Sequence, residues 1–287
     1  MRLIASSSYL PKRIIDNKKI AQKLEITESF IEKRTGIKQR YFVEDETIEE
    51  MALKATQRLV NKTKINLQEI DLIITATTST NRLMPGISNY VQKQLRIEKC
   101  ICLDILAGCG GYVQAVDISK MYMDSGKVKK AIVIGVDILS KFTDDSDVNI
   151  AIILGDGAGA TLYEDSNGEY YSNVESIPDN KNILTCTSNS KIQMDGIAIY
   201  KYAVTETVKN VNKLLEKANM CIKDVKYIVP HQSNLKIILA ISNRLGIEKE
   251  KIFTNIDSVG NTFCASIPIA LERMQNQNLI RKGDKLI

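Results

Sequence analysis

The sequence predicts an α/β protein made of two duplicated halves with mixed, mainly parallel sheets. Three observations carry that expectation. Residues 50–78 read as an amphipathic helix, a polar break and an apolar strand, and residues 203–233 repeat the same order. The run Leu95-Arg96-Ile97-Glu98-Lys99 returns as Leu245-Gly246-Ile247-Glu248-Lys249. After each run comes a strand pattern that leads through a Gly-containing turn into a new helical pattern.

The elements follow in order. In the first half the break is Asn66-Leu67-Gln68-Glu69 and the strand covers 70–76. In the second half Val204, Val208, Val211, Leu214 and Leu215 share one helical face, the break is Cys221-Ile222-Lys223-Asp224, and the strand covers 225–229. The next strands are expected over 100–105 and 251–256. The turns that follow are Ala107-Gly108-Cys109-Gly110-Gly111 and Ser258-Val259-Gly260-Asn261-Thr262. Cys109 and Asn261 thus hold comparable places, and His231 follows the other second-half strand. In parallel sheets ligands gather beyond the carboxyl ends of strands, so a shared site between the halves is expected. The halves are expected to divide as 1–164 and 165–287, at the polar break Glu164-Asp165-Ser166-Asn167-Gly168. The preceding run Gly155-Asp156-Gly157-Ala158-Gly159-Ala160 lacks the Lys-Ser/Thr of a phosphate loop and reads as a tight turn within the packed sheets.

Composition excludes several classes. The chain has 287 residues, 44% hydrophobic and 25% charged, which suits a globular protein with a substantial core. The net charge of +5 is mild, the lysines are scattered, and no arginine-rich arm appears, so nucleic acid is not an expected partner. No apolar run is long enough for a bilayer, and no secretory leader is recognisable. A cytoplasmic protein with reduced thiols is expected. Cys100-x-Cys102 lacks the usual metal spacing and the only histidine is far away in sequence, so no metal is expected.

Three residues have the chemistry for a site. A free thiol ionises near pH 8.5, and the helix start after Cys109 favours its anion. The alternative for Cys109 is a small buried cysteine. His231, in Val229-Pro230-His231-Gln232-Ser233-Asn234, is the sole histidine and reads equally as a structural hydrogen-bonder. Asn261 reads equally as a turn residue after Gly260. A Cys-His-Asn set suits acyl transfer, and on these residues alone a protease-like reaction stands beside it.

The chain resembles the beta-ketoacyl-acyl-carrier-protein synthase III family, of the thiolase-like fold, over essentially its whole length. Arg34-Thr35-Gly36-Ile37, Thr75-Ala76-Thr77-Thr78-Ser79, the turn from Asp104 to Tyr112, Gly155 to Ala160, His231-Gln232-Ser233-Asn234 and Gly260-Asn261-Thr262 carry the resemblance in family order. It implies a layered α-β-α-β-α arrangement and a decarboxylative Claisen condensation of an acyl-CoA with malonyl-acyl carrier protein. It implies Cys109 as nucleophile, with His231 and Asn261 handling the thioester oxygen. Coenzyme A enters as substrate carrier, with Phe30, Arg34, Tyr200 and Asn234 as its binding residues, and no cofactor is implied. It further implies a homodimer, Met84 at the acyl pocket, and Lys201, Lys236 and Arg244 as the dock for an acidic carrier protein.

The sequence departs from that pattern in three places. Where the family clamps an adenine between tryptophan and arginine, this chain has Phe30 and Val148, so a ring remains and the cation is expected to be gone. Gly110 stands where serine or alanine is frequent, which should loosen the turn. The second half is expected to lack its last strand, since the sequence ends at Lys285-Leu286-Ile287. The first departure favours a paralogue serving a specialised pathway; the last favours an inactive homologue.

Overall fold

The computed structural model describes residues 1–287. Chain order begins β1 (Arg2–Tyr9), β2 (Arg13–Asp16), α1 (Asn17–Leu24), α2 (Glu28–Thr35), β3 (Gln39–Phe42), α3 (Ile48–Thr63), β4 (Leu72–Ala76) and α4 (Ile87–Leu95). It continues β5 (Ile101–Ile105), α5 (Gly111–Asp124), β6 (Lys130–Asp137), α6 (Val148–Ala151) and β7 (Gly157–Glu164). After the short pair β8 (Leu184–Thr185) and β9 (Gln193–Met194) come α7 (Gly196–Lys217), α8 (Leu235–Leu245), α9 (Ile256–Val259) and α10 (Ser266–Asn276).

The main sheet of the first half has five strands in the order β1-β7-β6-β4-β5, and β2 pairs antiparallel with β3 in a separate two-stranded sheet. β4 pairs parallel with β5 and β6, whereas β7 pairs antiparallel with β6 and β1. Period-two alternation divides β4 between two cores. Ile73 joins Met51, Ala55 and Leu59 of α3 and Ile87 and Val91 of α4. Leu72, Ile74 and Ala76 join Tyr112, Ala115 and Val116 of α5 on the other face. Burying each large aliphatic chain this completely contributes about 1.5–3 kcal/mol. α3 starts cleanly because Thr47 and Glu50 form a reciprocal capping box.

The second half has no sheet beyond the two-residue antiparallel pair β8–β9. The strands expected over 225–229 and 251–256 appear as single parallel bridges, Ile228 with Ile252 and Tyr227 with Leu286. The backbone bonds are nonetheless sheet-like: Ile228 N–H donates to Lys251 O (2.8 Å), Phe253 N–H to Ile228 O (2.9 Å) and Val229 N–H to Ile287 O (2.7 Å). The middle segment alternates its faces as a strand does. Ile228 packs on Val204 and Val211 of α7 and Ile237 and Ile241 of α8. Val229 and Tyr227 pack on Ala270, Leu271 and Met274 of α10. The layers therefore run α3/α4, first sheet, α5 with α10, bridged segments, α7/α8.

Two local expectations are corrected. Residues 157–160 are not a tight turn but the first half of β7, with both faces covered. A Cβ on Gly159 would stand 2.7 Å from the Pro268 side chain, and one on Gly155 would stand 2.7 Å from Val259 O. The glycines are there because α10 and the end of α9 lie against the backbone. The second-half helix also starts earlier than expected, at Gly196, where Asp195 caps the N–H groups of Ile197 and Ala198.

Candidate active site

β5 ends at Ile105, and a 3-10 turn, Gly108–Gly110, delivers the chain into α5. Gly108 holds φ at +58°, a conformation open to glycine at little cost. Cys109, at the centre of that turn, keeps part of its surface open. Burial of the sulfur pushes the thiol up to about 12, and the nearby Asp137 charge adds to the rise. The expected stabilisation of the anion by the helix start is therefore outweighed by desolvation.

Asp137, the last residue of β6, is wholly buried. Its Oδ1 accepts from Thr78 N–H (2.7 Å), Thr77 Oγ1 (3.1 Å), Thr78 Oγ1 (2.9 Å) and Ser79 Oγ (2.8 Å). Its Oδ2 accepts from Cys264 N–H at 3.0 Å. Burial raises its pKa against these bonds. The Thr75–Ser79 motif is thus a hydroxyl cage around one carboxylate.

His231 follows the bridged segment that ends at Val229. Its Nδ1 lies 2.7 Å from Ser266 Oγ, which also accepts the Gln232 N–H at 3.4 Å. We assign the Ser266 hydroxyl proton to the Nδ1 contact, the arrangement that leaves the imidazole proton on Nε2. Nε2 is out of contact with solvent and has no partner within the chain. Burial brings the histidine down to about 4, so the ring is neutral at pH 7.

Asn261 is buried and fixed by its backbone: its N–H donates to Ile153 O (3.0 Å) and its carbonyl accepts from Gly155 N–H (2.9 Å). Its Oδ1 accepts from Phe263 N–H at 3.1 Å, which leaves Nδ2 as the free donor. The 3-10 turn Phe263–Ala265 is the common neighbour of all three residues. The Phe263 ring stands edge-on to His231, centroids 6.4 Å apart. Cys264 Sγ donates to Gly108 O at 3.1 Å, beside Cys109. One thiol and two N–H donors thus gather around a single turn, an arrangement suited to an acyl group whose oxygen becomes negative.

Other expected residues divide into those the fold brings together and those it separates. Phe30 and Arg34 lie one turn apart on α2, and the Arg34 guanidinium stands 5.6 Å from the Phe30 ring centroid. Arg34 Nη2 donates to Asn149 Oδ1 at 2.7 Å, and Asn234 Nδ2 donates to Arg34 O at 3.3 Å. Val148 packs with the apolar cluster around Ile31 and Ile152, so no cation stands at that position; Arg34 puts a guanidinium on the Phe30 ring from its own helix. Tyr200 is exposed on α7, with no hydrogen bond or ring contact to this group. Met84 is 84% exposed, between Leu83 and Pro85. Lys201, Lys236 and Arg244 are all exposed, and Arg244 Nη1 reaches Thr205 Oγ1 (3.5 Å), one helical turn beyond Lys201.

Sequence reasoning missed Asp137, Phe263, Cys264 and Ser266. The last three lie within five residues after Asn261, on the continuation of its motif; Asp137 carries no such local signal.

Two family models match the chain: "3-Oxoacyl-[acyl-carrier-protein (ACP)] synthase III" over residues 103–177 and its C-terminal counterpart over residues 215–287. The beta-ketoacyl-[acyl-carrier-protein] synthase III of Clostridium acetobutylicum is 33% identical, aligned over 100% of this chain and 93% of that protein. The Clostridium tetani protein of the same name is 34% identical, over 100% of this chain and 93% of that one. Among solved structures, 3-oxoacyl-[acyl-carrier-protein] synthase III from Aquifex aeolicus superposes with TM-score 0.93 at 33% identity, over 99% of this chain and 94% of that one. The priming beta-ketosynthase of the R1128 polyketide pathway gives TM-score 0.93 at 28% identity, over 99% and 90%.

Proposed function

This chain belongs to the 3-oxoacyl-[acyl-carrier-protein] synthase III family, and from that premise we propose a specific chemistry for its residues. The enzyme is an acyltransferase that condenses an acyl-CoA with malonyl-acyl carrier protein to a 3-oxoacyl product, as in the initiation of fatty acid synthesis. The observation that carries the reading is the gathering of the Cys109 turn, His231 Nε2–H and Asn261 Nδ2–H around the Phe263–Ala265 turn.

Cys109 Sγ attacks the acyl thioester carbonyl. An S–C bond forms to the protein, the S–C bond to coenzyme A breaks, and the released thiolate takes up the proton. A malonyl thioester then loses carbon dioxide, and the electron pair of the broken C–C bond becomes an enolate. His231 Nε2–H and Asn261 Nδ2–H hold the enolate oxygen; a neutral histidine serves here as a donor, with no need to change charge. The enolate carbon attacks the acyl-cysteine, a C–C bond forms, the C–S bond to Cys109 breaks, and the released thiolate takes a proton from solvent. As written the reaction needs no redox or metal cofactor.

Residues 1–164 form the half with the nucleophile and 165–287 the half with the two donors. Phe30, Arg34 and Asn234 bind coenzyme A, supported by their clustering with Asn149; Tyr200 joins them on the family resemblance alone. Lys201, Lys236 and Arg244 form the carrier-protein dock. The enzyme is a homodimer through the β5 edge. β5 has only β4 as a strand neighbour, and Leu83, Met84 and Leu106 lie exposed on flanking segments, with Met84 reaching the partner's acyl pocket. No helix is long and apolar enough to cross a membrane.

The test is intact-mass measurement after mixing with acetyl-CoA. One acetyl group is expected on the wild type and none on Cys109→Ala, while Cys186→Ala and Cys221→Ala still acylate. Acylation that survives in Cys109→Ala overturns the assignment.

A further inference from the structure

Arg40, inside β3, is fully buried, and all its hydrogen bonds go to neutral oxygens. Nη1 donates to Asn17 Oδ1 (2.9 Å) and Ile15 O (3.5 Å), and Nη2 donates to Ile152 O (2.7 Å). Burial brings the guanidinium down to about 10, so it is still charged at pH 7. A buried cation held only by neutral acceptors is a weak source of stability. No step of the proposed condensation uses it.

What the guanidinium does is join two segments. On one side stand Ile15 of β2 and Asn17 of α1. On the other stands Ile152, which ends α6 and whose carbonyl has no partner within that helix. The residues after Ile152 hold Asn261. Ile153 O accepts the Asn261 N–H (3.0 Å), Gly155 N–H donates to Asn261 O (2.9 Å), and Leu154 and Asn261 form a parallel bridge. The Arg40 stem lies against the same backbone: a Cβ on Gly155 would stand 3.2 Å from Arg40 Cβ, and one on Gly260 3.0 Å.

We propose that Arg40 is the positioning residue for Asn261, a role that rests on the donor function proposed above for Asn261 Nδ2. Its planar fork fixes Ile152 against the β2–α1 corner, and Ile153 and Gly155 carry that placement to Asn261. A lysine ammonium is a point charge on one stem and does not reproduce a fork that bonds in two directions. No bond is made or broken at Arg40. Its effect is on where the Asn261 amide meets the enolate oxygen, and a misplacement of about 1 Å can cost about 100-fold in rate.

The experiment compares full-length wild type, Arg40→Met, Arg40→Lys, Asn261→Ala and the double variant of Arg40→Met with Asn261→Ala. Two half-reactions are read: acetylation of Cys109 by acetyl-CoA, and decarboxylation of malonyl-acyl carrier protein. Urea unfolding of each variant accompanies them. Arg40→Met should slow decarboxylation by about 10–100-fold and slow acetylation far less. Arg40→Lys should fall between Arg40→Met and wild type. The double variant should decarboxylate no more slowly than Asn261→Ala alone, because a residue that acts only through Asn261 then has nothing left to position. Wild-type decarboxylation in both Arg40 variants, beside an impaired Asn261→Ala, overturns the role of Arg40 alone. So do losses that add in the double variant, or equal losses in both half-reactions that track urea stability. Full decarboxylation in Asn261→Ala removes the donor function itself, and the role of Arg40 with it. Where Arg40→Met fails to fold, the same comparison made with Arg40→Lys decides.

Discussion

Cys109 and His231 are both held neutral, and for the same reason. Each loses water on folding, and neither gains a charged partner that would restore its ionised form. For a thiol raised to about 12, the thiolate fraction climbs roughly tenfold per pH unit throughout the range below that value. Alkylation of Cys109 should therefore accelerate about 100-fold from pH 7 to pH 9 without levelling. Asp137→Asn removes the negative charge that adds to the rise, so Cys109 should react faster in that variant at every pH. A plateau near pH 8 in the wild type would show that the helix start, not desolvation, governs the thiol. The two donors call for a different measurement. His231→Ala and Asn261→Ala should still accept an acetyl group but decarboxylate malonyl thioester about 10²–10³-fold more slowly, the usual cost of one lost oxyanion donor. Variants that lose acylation and keep decarboxylation would reverse the proposed division of roles. Acid adds an independent check on His231. The folded ring resists protonation down to about 4, whereas the unfolded ring protonates near 6.5. Between those values the unfolded chain binds more protons, so stability falls as pH falls. His231→Gln should lose less stability over that interval in urea titrations at stepped pH.

Among the elements, the Phe263–Ala265 turn decides whether the site exists, and β6 decides where the turn lies. A Cβ on Gly135 of β6 would stand 2.1 Å from Cys264 O, a contact that backbone cannot yield to without displacing the turn. Gly135→Ala should destabilise the protein by about 1–3 kcal/mol, as overpacking does, and depress condensation along with it. Gly110, beside the nucleophile, behaves oppositely. It has an ordinary φ of −79° and nothing within 4 Å of its missing Cβ. Gly110→Ala should be tolerated, or gain about 0.4–1 kcal/mol by restricting the unfolded chain. Urea unfolding of the two variants, paired with condensation rates, checks both. Equal losses in both would place the constraint at the nucleophile turn instead of at β6.

Charge and assembly belong to the molecule as a whole. Lys236 and Arg244 lie eight residues apart on α8, about 12 Å along its axis, and the contact of Arg244 with Thr205 brings α7 and Lys201 alongside. Exposed ion pairs are individually worth about 0–1 kcal/mol, so single changes should be mild. Reversing Lys236 and Arg244 together to Glu should slow association with carrier protein and flatten its salt dependence, while acetylation of Cys109 by acetyl-CoA stays normal. Unchanged carrier-protein kinetics at low salt would put the dock elsewhere. Sedimentation at micromolar concentration should report a dimer; a monomer would remove the role proposed for the β5 edge and for Met84.

The sequence by itself determined the α/β class, the order of the motifs and the three residues that could do chemistry, because each is a local signal: a periodicity, a strand-to-helix turn, a sole histidine. It overstated the second-half strands, since apolar alternation over 225–229 marks burial on two faces and says nothing of how many residues a neighbour pairs. It misread residues 157–160 because a glycine run looks the same in a turn as beneath a packed helix. Only the tertiary structure decided that Ser266 faces Nδ1 of His231, that Asp137 anchors the turn behind Cys109, and that Arg34 stands over the Phe30 ring. Each of these depends on distances between segments brought together by folding. Burial and hydrogen-bond geometry are properties of that packing, and no residue carries them in its own identity or in its spacing along the chain.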